Sequence, residues 1–170
     1  GFLMIRRPPR STHCISSAAS DVYKRQAQLL LENGADVNLQ INDGYTPLFA
    51  ACYNGHDGTA QLLLKNGADV NLQANDGRTP LFTACYNGLD GTAQLLLKNG
   101  ADVNLQTNNG ATPLLVACQN GHDGTAQLLL ENGADVNLQT NDGRTPLSSA
   151  CYNGHENSVQ LLIKNGAKIK

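Results

Sequence analysis

Residues 42–74 read NDGYTPLFAACYNGHDGTAQLLLKNGADVNLQA, and residues 75–107 repeat them at 29 of 33 positions. Only Tyr45/Arg78, Ala50/Thr83, His56/Leu89 and Ala74/Thr107 differ. Working outward, Thr-Pro-Leu recurs at 46, 79, 112 and 145, always 33 residues apart. The chain therefore divides into 42–74, 75–107, 108–140 and 141–170, with a partial unit at 27–41. A period of this length marks a solenoid, in which each unit buries its apolar face against its neighbours. Catalysis needs different groups converging on one point, whereas this chain presents the same groups four times. The expectation is a binding surface, with no catalytic site, cofactor or metal.

One unit reads as two short helices. Asn42-Asp43-Gly44 has turn chemistry, and Thr46-Pro47 is a helix start with the hydroxyl as cap and proline first. Leu48, Ala51 and Cys52 share one face, and Asn54-Gly55 stops the helix. Asp57 is expected to cap a second helix whose bulk is Leu62, Leu63 and Leu64, ended by Asn66-Gly67. Helices this short are unstable alone in water, so stability must come from the interfaces between units.

Composition narrows the function classes. No run approaches the eighteen or so apolar residues of a membrane span. Five basic residues in 1–26 (Arg6, Arg7, Arg10, Lys24, Arg25) face the single acid Asp21, which leaves the repeats acidic. An acidic stack argues against nucleic acid, whose binding depends on phosphate neutralisation. Cys52, Cys85, Cys118 and Cys151 occupy one repeat position, spaced by roughly 10 Å of helix packing. That is too far for a disulfide or a shared zinc ion. They read as small buried hydrophobes, and unpaired thiols favour a reducing, intracellular compartment, expected to be cytoplasmic.

The strings TPLFAA (46–51), NGH (54–56), LLL (62–64) and NGADVN (66–71) closely resemble the ankyrin repeat and align to its 33-residue unit without gaps. The resemblance covers 27–170 and implies an all-α solenoid of stacked antiparallel helix pairs with β-turn or hairpin tips. It departs from the family at three places. The usual histidine after Thr-Pro-Leu is Phe49, Phe82, Leu115 or Ser148, so apolar packing must replace its hydrogen bonds. Asp57-Gly58 stands where an apolar-acidic pair is expected, and Ala74, Thr107 or Thr140 stands where an acid usually opens the turn.

Residues 1–26 share nothing with this pattern. They resemble translated sequencing-adapter read-through, and a genuine basic, disordered arm is the alternative. The first helix of a unit should precede Ala27, and the last unit keeps Leu161, Leu162 and Ile163, so a fragment of a longer array is expected.

In the family, the turn tips and the solvent side of the first helix form the concave recognition face. The matching positions are Asn42, Asp43, Tyr45 and Tyr53 in the first full unit, then Asp76, Arg78 and Tyr86. Asn109, Ala111, Gln119, Asp142, Arg144 and Tyr152 follow. Tyr and Arg dominate interface energetics. With Asp43, Asp76 and Asp142 at the tips, the expected partner is a basic or mixed-charge protein segment. The resemblance also implies a second role, as substrate of an asparaginyl hydroxylase at Asn38, Asn71, Asn104 and Asn137. Each lies in an Asp-Val-Asn turn with a leucine eight residues earlier. His56-Asp57 and His122-Asp123 read as turn residues rather than a metal site or general-base pair.

Overall fold

A computed structural model describes residues 12–168. Among them it shows nine helices and no strand: α1 (Thr12–Glu32), α2 (Pro47–Tyr53), α3 (Asp57–Lys65), α4 (Pro80–Tyr86), α5 (Asp90–Lys98), α6 (Pro113–Gln119), α7 (Asp123–Glu131), α8 (Pro146–Tyr152) and α9 (Glu156–Lys164). Each full unit is an inner seven-residue helix followed by an outer nine-residue helix. Inner helices form one row, α2 on α4 on α6 on α8, and outer helices form a second, sparser row.

The punctuation is local chemistry. Thr46 is extended (φ −99°, ψ 165°), and its hydroxyl accepts from Phe49 N–H at 3.1 Å, with Pro47 at the first helical position. Thr79, Thr112 and Thr145 do the same. The outer helix ends at Gly67, φ 86°. Ala68 N–H reaches back to Leu63 O at 3.0 Å and Gly67 N–H to Leu64 O at 3.2 Å, which is a Schellman ending.

The core is one continuous cluster running the length of the stack. Leu48, Leu81 and Leu114 are each 1% exposed, and the cysteines of the first three full units 0%. The leucine triplets contribute unequally, because successive residues turn about 100° around a helix. Leu63, Leu96, Leu129 and Leu162 are buried while the leucines beside them are half-buried. Phe49, Phe82 and Leu115 are buried where the histidine was expected, and Ser148 instead completes a capping box with Thr145.

Two expectations need correction. Asp57 does not cap the outer helix. His56 is the cap residue and makes no side-chain bond, while Asp57 is the first helical residue. Its carboxylate instead accepts from Thr92 Oγ1 of the next unit, as Asp90 does from Thr125 and Asp123 from Ser158. The glycine beside each threonine leaves room for this ladder: a Cβ on Gly124 would lie 2.7 Å from Asp90 Oδ2. The ladder's first rung is absent, because Lys24 stands where the acid should be and buried Thr59 Oγ1 finds no partner.

The boundary at 26/27 is likewise not a break in secondary structure, because α1 runs through it. Asp21-Val22 occupies the position of Asn54-Gly55, so nothing stops the helix there. Tyr23 stacks on His56 with centroids 4.9 Å apart, and α1 packs against α3. Residues 1–11 lie outside the described residues.

Candidate partner-binding face

The turn before each inner helix is closed by its own backbone and tied to the next turn. Ala74 N–H donates to Arg78 O and Gly77 N–H to Ala74 O, both at 2.9 Å. Asn75 N–H then bonds Asp43 O, and Asn108 N–H bonds Asp76 O, each at 3.0 Å. Asn75 Nδ2 reaches Asn42 O, and Asn108 Nδ2 reaches Asn75 O, both at 2.8 Å. Gln40, Gln73 and Gln106 bridge consecutive turns on a parallel line. The tips are thus β-turns locked by a side-chain ladder, without hairpin strands among the described residues.

This framework sorts the expected contact residues. Tyr53 is 52% exposed, Tyr86 49% and Tyr152 91%, in equivalent places at the ends of inner helices. Asn42, Asp43, Asp76, Asn109, Asp142 and Arg144 are exposed at the tips. Gln119 is half-buried, and its backbone carbonyl receives His155 Nε2–H at 3.1 Å. Ala111 is a correction. It is 6% exposed, enclosed by its turn, and its N–H bonds Thr107 Oγ1 at 3.0 Å, so its side chain is not offered to a partner.

Tyr45 and Arg78 are engaged with each other. Tyr45 stacks on Phe49 at 4.4 Å, and the Arg78 guanidinium lies 5.7 Å from the Tyr45 ring centre and 5.9 Å from that of Phe49. Arg78 Nη2 donates to Tyr45 Oη and Nε to Asp76 Oδ2, each at 2.6 Å. In the fourth unit Arg144 pairs with Asp142 at 3.0 Å. The hydroxyl of Thr140, with Arg144 second, holds the Asp142 carboxyl below its ordinary range. The tips therefore present tied plus–minus pairs beside open tyrosines.

The His-Asp pairs diverge. His122 Nε2–H donates to Tyr86 O at 3.1 Å while the neighbouring Asp123 accepts from Ser158. His56 stacks on Tyr23. Among the described residues, no three His, Cys, Asp or Glu side chains converge on a common point. Cys52, Cys85 and Cys118 are free and buried. Burial, reinforced by Asp123, pushes the Cys118 thiol up to about 12, and the other two shift the same way.

Asn38, Asn71, Asn104 and Asn137 form another ladder. Each side-chain oxygen accepts from the backbone 31 residues on (Asp69, Asp102, Asp135 and Lys168) at 2.8–2.9 Å. Each amide donates to a glycine carbonyl 29 residues on.

One feature escaped the sequence reading: an apolar groove of about 770 Å³ at the front of the stack, walled by Leu30, Leu39, Ile41, Phe49, Ala50 and Tyr53. Its signal was the missing Thr-Pro-Leu at 13–15, which leaves α2 without a predecessor in the inner row.

A family model of ankyrin repeats in three copies matches residues 15–107 and 90–170. The chain belongs to the ankyrin-repeat family. The match begins at residue 15, inside the segment that reads as foreign to the repeat. No curated protein sequence matches the chain at a significant level. Ankyrin repeats generally serve as protein–protein interaction modules and are typically non-catalytic. No described helix of this ankyrin array is long and apolar enough to cross a membrane.

Proposed function

We propose that this array is a non-catalytic module that holds a partner protein across the concave face made by its inner helices and turn tips. The observation that carries the reading is the row of exposed tyrosines, Tyr53, Tyr86 and Tyr152, beside tips rich in tethered charge. Aromatic groups on short helices lose little entropy when covered, which suits them to anchor a segment. Asp43, Asp76 and Asp142 outnumber Arg78 and Arg144 at the tips, so the partner segment is basic or of mixed charge. The buried free thiols fit a reducing compartment, and the cytoplasm is the proposed location.

Selection from a random peptide display library tests this. Binders should be enriched in Lys and Arg, and amide shift perturbations should fall on the tips and inner helices. Perturbations confined to α3, α5 and α7 would place the partner on the opposite side and reject the assignment.

A second reading, asparaginyl hydroxylation, draws on the Asn ladder. The rungs of Asn71, Asn104 and Asn137 lie between full units, and that of Asn38 lies between the partial unit and the first full one. Hydroxylation needs a rung to open, so modification of Asn137 requires release of its bonds to Gly166 O and Lys168 N–H. A one-oxygen mass gain on its peptide after incubation with an asparaginyl hydroxylase supports this reading, and an unmodified ladder rejects it.

A further inference from the structure

Ten Asn-Gly pairs punctuate the chain, and nine of them stop helices. In all ten the glycine N–H donates to the carbonyl three residues back, so the backbone does not tell them apart. The asparagine side chains do. Seven of the nine donate Nδ2–H to the helix carbonyl four residues back, as Asn66 does to Leu62 O at 2.8 Å. Asn87 and Asn120 donate to Tyr53 O and Tyr86 O of the preceding unit. Each amide is therefore held away from the glycine that follows it.

The tenth pair, Asn109-Gly110, lies at a turn tip and is folded the other way. Asn109 Oδ1 accepts from the Thr107 hydroxyl at 2.5 Å and from Ala111 N–H, the amide just beyond Gly110, at 3.3 Å. Its Nδ2 has no hydrogen-bond partner among the described residues. The carboxamide thus leans over the Gly110 nitrogen, with its oxygen polarised by two donors and its nitrogen free to leave.

We infer that Asn109 is a self-modification site, at which the chain converts its own amide to an acid. Gly110 N loses its proton to solvent base and bonds to Asn109 Cγ, an approach that glycine, lacking Cβ, leaves open. Gly110 is buried, so this proton leaves when the tip loosens. The two donors on Oδ1 stabilise the oxyanion that forms. The Cγ–Nδ2 bond then breaks, and Nδ2 takes a proton from water and departs as ammonia. Water opens the resulting five-membered imide. Opening at Cγ gives Asp at 109, and opening at the Asn109 backbone carbonyl gives isoaspartate. Overall one water is consumed and one ammonia released, with no oxidant or reductant. The Asp product has a place ready, because Asp43, Asp76 and Asp142 hold the same position and Asp142 already accepts from Thr140. Isoaspartate instead moves a side-chain carbon into the backbone, displacing the carbonyl that accepts from Asn141 N–H.

The test is incubation of the folded chain in mildly alkaline buffer, with fragmentation mass spectrometry locating the one-unit mass gain of amide to acid. Asn109 should convert at least about tenfold faster than any helix-stop asparagine, because only its groups are prepositioned. In urea the ten rates should converge. Thr107→Ala, which repeats the residue found at 74 in an equivalent intact tip, should slow Asn109 by at least about fivefold through loss of one oxyanion donor. Thr107→Ser keeps the hydroxyl and should keep the rate. Conversion at Asn109 no faster than at the helix stops would overturn the inference. So would a rate that Thr107→Ala leaves unchanged or raises, or that Ala and Ser lower alike.

Discussion

Gly77 and Gly143 hold the same place in their units and the same left-handed backbone, φ 83° and 82°, yet they should respond differently to alanine. At Gly143 a Cβ meets nothing within 4 Å, so the cost is that of the backbone alone, about 1–2 kcal/mol. At Gly77 it would lie 2.6 Å from Asn108 N and 2.7 Å from its Oδ1, atoms that lock the next tip. Urea titration should show Gly77→Ala losing at least about 1 kcal/mol more than Gly143→Ala. The cysteines divide similarly. Alkylation of the native chain read by mass spectrometry should label Cys151 and spare Cys52, Cys85 and Cys118. Their raised pKa values also set a pH dependence. The folded state keeps these thiols protonated while the unfolded chain ionises them, so their stabilisation is present below about pH 9 and lost above it. Unfolding free energy should fall between pH 9 and 11. What the sequence conveyed at this scale was the punctuation, because Thr-Pro starts and Asn-Gly stops act through neighbouring atoms. It missed the burial of Ala111, which its own turn encloses, and the pairing of Arg78 with Tyr45, which a unit 33 residues away decides.

At the scale of elements, periodicity gave the paired helices and left their bonds to one another unread. Asp57 looked like a cap because the local pattern fits one, but its carboxylate is drawn to Thr92 in the neighbouring helix. Gly91, beside Thr92, makes room for that bond, since a Cβ there would lie 3.2 Å from Asp57 Oδ2. The missing first rung is a direct test. Lys24→Asp should give Thr59 its partner and stabilise the front of the stack by about 0.5–1 kcal/mol. Unchanged or lowered stability by thermal denaturation would mean the α1–α3 packing cannot bring the two groups together. Helix α1 itself was not foreseen, because the segment before Ala27 was read for its lack of repeat residues rather than for its lack of helix stops.

Across the whole molecule, the units share one core, so a central cavity should weaken the array more than one at its edge. Leu96→Ala, between full units on both sides, should cost about 3–5 kcal/mol, and Leu162→Ala should cost less because fewer neighbours surround it. The tyrosine row belongs to this scale, since no single unit makes a groove. The most direct test is the affinity of a library-selected binder for the array and for its Tyr53→Ala/Tyr86→Ala/Tyr152→Ala variant. Each lost anchor is worth about 2 kcal/mol, or roughly thirtyfold, so binding should become undetectable while the helical circular dichroism stays intact. Lys65→Ala/Lys98→Ala, on the outer helices, should leave affinity unchanged. An affinity that survives loss of the tyrosines but falls with the lysines would contradict the account.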